Sequence, residues 1–259
     1  MNQGEKRRYL IDALLSEQTK YRGMEIPSGE TEQKQLLRGL MNIRMPGPIG
    51  EDVLRVQDEY LRETAQQKGI TALDDLTPVE PGIYLWQGDI TTLRCDAIVN
   101  AANSGMTGCY RPLHNCIDNC IHSAAGIQLR KECNDTMQGR LLATGNAFIT
   151  KGDNLPAKHV IHTVGPIIPD GIPTKEQEEQ LAACYRSCLD LAEKNGLESI
   201  AFCCISTGVF HFPNQRAAEI AIETVKSYPR HSLKTIVFNV FLDKDRDIYE
   251  QLLGACPMA

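Results

Sequence analysis

The stretch from Val99 to Gly126, VNAANSGMTGCYRPLHNCIDNCIHSAAG, joins a strand end, a polar loop and a helix of small residues. Its loop brings Cys109, His114 and Cys116 into one short segment. The C-x4-H-x-C spacing supplies three close thiol and imidazole ligands, whereas a closed structural zinc site needs four. Three protein ligands with one open position are typical of catalytic zinc. The stretch therefore predicts a metal site, and its soft ligands fit zinc without excluding other borderline metals.

Two alternatives remain open from these residues alone. The cysteines could be small buried core residues, with His114 capping a local turn. Cys120 lies four residues beyond Cys116, one helical turn, so it could replace one of the three ligands.

Composition limits the classes of function. The chain has 259 residues, enough for one large α/β domain or a small domain plus a medium one, and its net charge of −6 gives nucleic-acid binding no support. No apolar run reaches membrane-spanning length, and the N-terminus MNQGEKRRYL lacks the features of a signal peptide. We therefore expect a cytoplasmic protein without a membrane partner, in which the 10 cysteines are reduced thiols or metal ligands.

The chain divides into two predicted parts. Residues 1–78 contain apolar repeats at helical spacing around Leu14, Leu37 and Val56, which predict an N-terminal helical extension without evident chemistry. In residues 79–259, continuous apolar strands alternate with amphipathic helices. That alternation predicts an α/β fold with a central sheet covered on both faces.

Three polar or glycine-containing segments follow predicted strands in the second part. They are GDIT at 88–91, NAAN at 100–103 and STGVFHFP at 206–213. Ligands of such folds bind beyond the carboxyl ends of the strands, so we expect one shared cleft.

The chemistry of these segments fits a nucleotide diphosphate. Asp89 could accept a hydrogen bond from an exocyclic amine, and backbone N–H groups around Gly208 could bind phosphates. Phe210 could stack on a sugar or base, while Asn100 and Asn103 offer amides to hydroxyl groups. Each segment alone is more often an ordinary turn or cap.

Taken together, GDIT, IVNAAN, IHSAAG and STGVFHFP, in this order, resemble the macrodomain family over about residues 80–256. The resemblance implies ADP-ribose binding by a three-layer α/β/α fold with a mixed sheet. It implies that Asp89 and Ile90 hold the adenine and that Asn103 contacts the distal ribose. The implied diphosphate loop comprises Ser206, Thr207, Gly208, Val209 and Phe210, with Phe210 beside the distal ribose.

The loop before IHSAAG departs from the glycine-rich stretch typical of macrodomain hydrolases. Its sequence, MTGCYRPLHNC, resembles the zinc-dependent bacterial macrodomains, and the ligand match falls on Cys109, His114 and Cys116. This resemblance implies one Zn²⁺ ion and accounts for the helical extension. It also implies a protein-ADP-ribose hydrolase, whose substrate is often a lipoyl-carrier protein modified by a sirtuin-type ADP-ribosyltransferase. His122 is then a structural residue of the helix.

Asp118 is the candidate catalytic residue, because it lies two residues beyond Cys116 and could position or deprotonate a water molecule. Asn103 would orient the distal ribose. Several alternatives stay open: the zinc ion could only order the loop, and Asp118 could only cap a helix. The chain could also be an ADP-ribose reader without catalysis, or an esterase acting on O-acyl-ADP-ribose.

Overall fold

The computed structural model describes residues 1–21 and 23–254; residues 255–259, the end of the predicted second part, lie outside that description. The helices are α1 (Gln3–Ser16), α2 (Glu30–Ile43), α3 (Glu51–Lys68), α4 (Ile117–Ala125), α5 (Ile127–Met137), α6 (Lys175–Lys194), α7 (Asn214–Ser227) and α8 (Asp243–Leu253). The strands are β1 (Thr71–Ala72), β2 (Pro78–Glu80), β3 (Ile83–Gln87), β4 (Leu93–Arg94), β5 (Ala97–Ala101), β6 (Ala147–Lys151), β7 (His159–Thr163), β8 (Ser199–Phe202) and β9 (Thr235–Val240). Among the helices so described, none combines the length and the apolar character needed to cross a bilayer.

The predicted N-terminal helices are present as α1, α2 and α3. A capping box begins α1, in which Asn2 Oδ1 accepts from the Glu5 N–H at 2.9 Å and Glu5 accepts in return from the Asn2 N–H. The apolar faces of the three helices bury a common hydrophobic cluster, and Ile127 of α5 belongs to it. The extension is thus packed onto the rest of the chain. The boundary at residue 78 stays a prediction.

A seven-stranded mixed sheet forms the centre of the molecule, in the order β2-β3-β9-β8-β5-β7-β6. Its inner strands are parallel, whereas β2 and β6 at the two edges run antiparallel to their neighbours. Strands β5 and β8 are almost continuously buried, as expected for a sheet covered on both faces. Helix α4 contacts β5 and α5 contacts β6, while α6 contacts β6, β7 and β8, α8 contacts β3 and β9, and α7 packs against both α6 and α8. The predicted three-layer fold is confirmed.

The parallel strands bring their carboxyl ends to one edge of the sheet. Asp89 follows β3, Asn103 follows β5, the segment 206–210 follows β8, and Phe241 follows β9. Because these strands are neighbours in register, the segments face a common region, as the sequence predicted.

The sequence predicts a helix over residues 115–137 with a break near Gly126, and a helix from Asn214 to Tyr228 that Asn214 caps. The break is present, because Gly126 adopts φ 105° between α4 and α5. The predicted cap at Asn214 is wrong. Pro213 occupies the cap position, and Asn214 Nδ2 instead donates to Asp245 Oδ1 at 2.6 Å. A side chain already inside the helix, with an acidic partner on α8, is not available to the helix N-terminus.

Candidate active site

Asp89 begins a short 3-10 turn beyond β3. Its Oδ1 accepts from the N–H and the hydroxyl of Thr91, at 3.0 and 2.6 Å, and its Oδ2 lies 3.0 Å from Lys68 Nζ at the end of α3. Partial burial pushes the pKa of Asp89 upward, but the Thr91 bonds and the Lys68 charge outweigh it, so the pKa lies below its usual value. The carboxylate is therefore ionised and acts as an acceptor. Ile90 beside it is buried.

The segment Ser206–Phe212 forms a tight loop beyond β8. Ser206 adopts a left-handed conformation with φ 65°, and its carbonyl accepts from the Phe212 N–H at 3.0 Å. Phe210 O accepts from the Ile168 N–H at 2.8 Å, which attaches the loop to the neighbouring segment. Gly208 and Val209 are exposed at the tip. The Ser206 hydroxyl is buried, and it has no hydrogen-bond partner among the described residues.

The three predicted metal ligands come together. Cys109, His114 and Cys116 place their ligand atoms within 4.8 Å of one another, and all three residues are partly exposed. Cys109 Sγ lies 3.6 Å from His114 Nδ1. Burial raises the pKa of the Cys116 thiol to about 12, and the nearby Cys109 and Asp118 add to the rise. Two adjacent thiols and an imidazole form a group that could hold a metal ion.

Cys120 does not join this group. Among the residues that the structure describes, two clusters have ligand atoms close enough to share an ion, and Cys120 belongs to neither. Its sulfur instead lies 3.7 Å from Arg38 Nη2 of α2. The alternative in which Cys120 replaces a ligand is therefore disfavoured by geometry.

Asp118 is buried in the first turn of α4, with 4% of its surface exposed. Its Oδ1 accepts from Asn100 Nδ2 at 2.9 Å, and its Oδ2 accepts from Asn103 Nδ2 at 3.2 Å. Burial raises the pKa of Asp118 to about 6, although these amides and Arg130 oppose the rise. Cys116 is the N-cap residue of α4, and the Asp118 carboxylate accepts from side-chain amides, so the helix-cap alternative for Asp118 is wrong.

Asn100 has a different role from the one predicted. It is fully buried, so its amide is not offered to ligand hydroxyls. Its Nδ2 donates to Asp118 and also lies 3.1 Å from His162 Nδ1, while His162 Nε2 lies 3.0 Å from the Thr150 hydroxyl. Since Asn100 donates to Nδ1, the His162 proton must be on Nε2. A chain of hydrogen bonds thus runs from the sheet to Asp118.

The second cluster of metal-type side chains is His122, Cys133 and His162, all buried. His162 presents a protonated Nε2 to it, which cannot bind a metal in this tautomer. Burial also lowers the pKa of both imidazoles, to about 3 for His162. His122 packs closely against Gly108, where a Cβ would lie 2.8 Å from its ring. We interpret this cluster as structural, which agrees with the expectation for His122.

Sequence reasoning alone does not single out Phe241, because it continues the apolar pattern of β9. In the structure it lies just beyond the strand with 71% of its surface exposed. Gln87 Nε2 donates to its carbonyl at 3.3 Å, so the Phe241 backbone lies beside the end of β3. An exposed aromatic ring at this strand end offers a stacking surface for a base. The one feature of the sequence that could have indicated Phe241 is its position at the end of a predicted strand.

The fold is that of a macrodomain, and the sequence matches the Macro domain family over residues 99–221. The chain belongs to the macrodomain family.

Its relatives extend the match over nearly the whole chain. A "Protein-ADP-ribose hydrolase" of Treponema medium is 55% identical, covering 98% of this chain and all of the relative. A protein of the same name from Staphylococcus aureus strain MSSA476 is 48% identical, covering 94% of this chain and 93% of the relative. The crystal structure of a Trypanosoma brucei macrodomain with ADP-ribose is 30% identical, with a TM-score of 0.65 over 88% of this chain and 97% of that chain.

Proposed function

We propose that this chain is a hydrolase that removes mono-ADP-ribose from modified protein side chains. One observation carries the proposal: a buried carboxylate, Asp118, is held by Asn103 beside the Cys109–Cys116 loop, at the edge of the sheet where the predicted nucleotide segments meet. The names of the bacterial relatives support the same activity. The substrate is an ADP-ribosylated protein, and the product is ADP-ribose.

Each part of the cleft binds one part of ADP-ribose. Asp89 and Ile90 hold the adenine. A face of the adenine ring stacks on Phe241. The loop residues Ser206, Thr207, Gly208, Val209 and Phe210 bind the diphosphate, and Phe210 lies beside the distal ribose. Support comes from the exposed Gly208, whose backbone is available to an anion. Asn103 is exposed beside Asp118 and binds the distal ribose.

Cys109, His114 and Cys116 would hold one Zn²⁺ ion. Zinc bonds of about 2.3 Å to sulfur and about 2.0 Å to nitrogen, at a tetrahedral angle, separate the two donor atoms by roughly 3.5 Å. The 3.6 Å between Cys109 Sγ and His114 Nδ1 fits that geometry. An ion held by these residues would supply a Lewis acid for an oxygen atom of the substrate or of water. The alternative that zinc only orders the loop stays open.

Hydrolysis breaks the bond between the anomeric carbon of the distal ribose and a side-chain oxygen of the modified protein. A water molecule adds its hydroxyl to the carbon, and its proton goes to the departing oxygen. Asp118 positions this water, takes its proton on a carboxylate oxygen and passes that proton on to the departing oxygen. Asn103 holds both Asp118 and the ribose, so the reacting atoms meet in one orientation.

The cellular setting follows from the family resemblance and is part of this proposal. The modified protein is a lipoyl-carrier protein, the modification comes from a sirtuin-type ADP-ribosyltransferase, and the reaction takes place in the cytoplasm. Neither a nucleic acid nor a membrane is a partner.

The experiment that tests the function compares Cys109→Ala with the wild type. We expect the variant to bind ADP-ribose within about threefold of the wild type and to lose at least 100-fold in release of ADP-ribose from a modified protein. A wild type that binds ADP-ribose but releases none from any modified protein would instead be a reader. A wild type that cleaves O-acyl-ADP-ribose but no modified protein would be an esterase.

A further inference from the structure

Helix α2 of the N-terminal extension carries two side chains that contact the metal loop. Arg38 Nη2 donates to the carbonyl of His114 at 2.7 Å and to Asn119 Oδ1 at 2.9 Å. Asn42 Oδ1 accepts from the Leu113 N–H at 3.0 Å. Arg38 and Asn42 are four residues apart, so they lie on the same face of α2. That face therefore holds the backbone on both sides of the Leu113–His114 peptide bond.

The loop needs such support at this point. Leu113 adopts φ 57°, a left-handed conformation that costs free energy in any residue with a Cβ. Its side chain is 40% exposed and gives little packing in return. Within the loop, the His114 N–H makes a long bond of 3.3 Å to the Arg111 carbonyl. The shorter bonds from α2 fix the backbone from which the His114 imidazole projects.

A second connection joins α2 to the other end of the loop. Arg130 of α5 is buried, and it stacks on the Tyr110 ring with its guanidinium carbon 4.3 Å from the ring centre. Its Nη2 lies 3.5 Å from the Cys109 carbonyl. Its Nη1 donates to the carbonyls at the end of α2, those of Met41, Asn42 and Arg44, at 3.2, 2.7 and 2.7 Å. The Arg130 guanidinium thus bonds both to the end of α2 and to the start of the loop.

We propose that Arg38 and Asn42 are positioning residues for the metal ion. They hold the His114 backbone so that its imidazole faces Cys109 and Cys116 before the ion binds. The proposal rests on the proposed function, which assigns the ion to these three ligands. It makes the N-terminal extension a structural part of the metal site, a role that its sequence alone does not indicate.

The test is a Co²⁺ titration of the full-length, metal-stripped chain, followed by the thiolate-to-cobalt charge-transfer absorption. We expect Arg38→Lys and Asn42→Ala to bind Co²⁺ about 10- to 100-fold more weakly than the wild type, the range typical of residues that support metal ligands. The matched control is Arg44→Lys, because the Arg44 side chain is also buried after α2 but, among the described residues, it bonds to Glu17 and to carbonyls of the extension. We expect the control to bind within about twofold of the wild type.

The outcomes separate this proposal from the proposed function. Equal Co²⁺ affinity in the wild type, Arg38→Lys and Asn42→Ala would overturn the positioning role and leave the metal assignment intact. An equal loss in Arg44→Lys would also overturn it, because the effect would then be general destabilisation of the extension. Absence of the absorption in the wild type would overturn the metal assignment itself. Circular dichroism of each metal-free variant checks the fold, and Asn42→Ala carries the test if Arg38→Lys is unfolded.

Discussion

The amide nitrogen of Asn100 lies 2.9 Å from Asp118 Oδ1, and both residues are buried. The same nitrogen reaches His162, so Asn100 fixes the carboxylate relative to the central sheet. The candidate catalytic group is therefore oriented from the protein interior and not only by residues of the cleft.

Replacing Asn100 by Ala should reduce kcat about 10- to 100-fold with little change in KM, because Asp118 loses the donor that orients it. Loss of a buried bond to a charged group should also lower the free energy of unfolding by about 1.5–3 kcal/mol. Steady-state kinetics and thermal melts measure the two effects. The matched control is Thr150→Val at the far end of the chain of hydrogen bonds, which should destabilise the fold while kcat stays within about threefold. An Asn100→Ala enzyme with wild-type kcat would remove the orienting role.

Substitution of Gly208 should weaken ADP-ribose binding without lowering the free energy of unfolding. A Cβ built at this position has no atom of the described residues within 4 Å, so nothing in that part of the protein requires glycine here. Gly208→Val should change the free energy of unfolding by no more than about 0.5 kcal/mol. It should weaken ADP-ribose binding at least 10-fold by crowding the diphosphate, as calorimetric titration can measure. Wild-type affinity in this variant would place the diphosphate elsewhere.

Gly165→Ala is the contrasting substitution. A Cβ there would lie 1.9 Å from the Ser206 hydroxyl, so the fold itself should be destabilised.

Asp153 should make stability depend on pH. Burial, together with Glu132 and Asp58, raises the pKa of its carboxyl to about 7. The folded state therefore holds a proton that the unfolded state releases near pH 4, and stability falls as the pH rises from about 4 to 7. Asp153→Asn removes this loss and tolerates the local φ of 52°. Because the side chain is partly exposed, the gain should be about 1 kcal/mol after screening, or about 2–4 °C in Tm.

The Asp153→Asn gain should appear at pH 8 and vanish at pH 4, which thermal melts at the two pH values can check. The control is Asp12→Asn, at an exposed position on α1. It should leave the Tm unchanged at both pH 4 and pH 8. A gain of the same size at both pH values would contradict the pKa argument.

Much of this architecture can be predicted from sequence because its determinants are local. Strand and helix periodicity gives the sheet and its layers, and the glycine at 126 marks the helix break. The metal ligands lie in one short loop, so their proximity follows from spacing. Other features depend on contacts between distant segments. Arg38 meets His114 across 76 residues, and the burial of Asn100 is set by packing on both sides of the sheet, so neither has a local signal.

The proposed dependence of the hydrolase on a metal ion can be tested directly. The most direct measurement is release of free ADP-ribose from a mono-ADP-ribosylated protein, before and after a chelator has removed the metal and again after zinc is added. We expect release to stop when metal loss is verified and to return with zinc. Release that continues unchanged after verified metal loss would contradict this account and assign catalysis to Asp118 and the cleft alone.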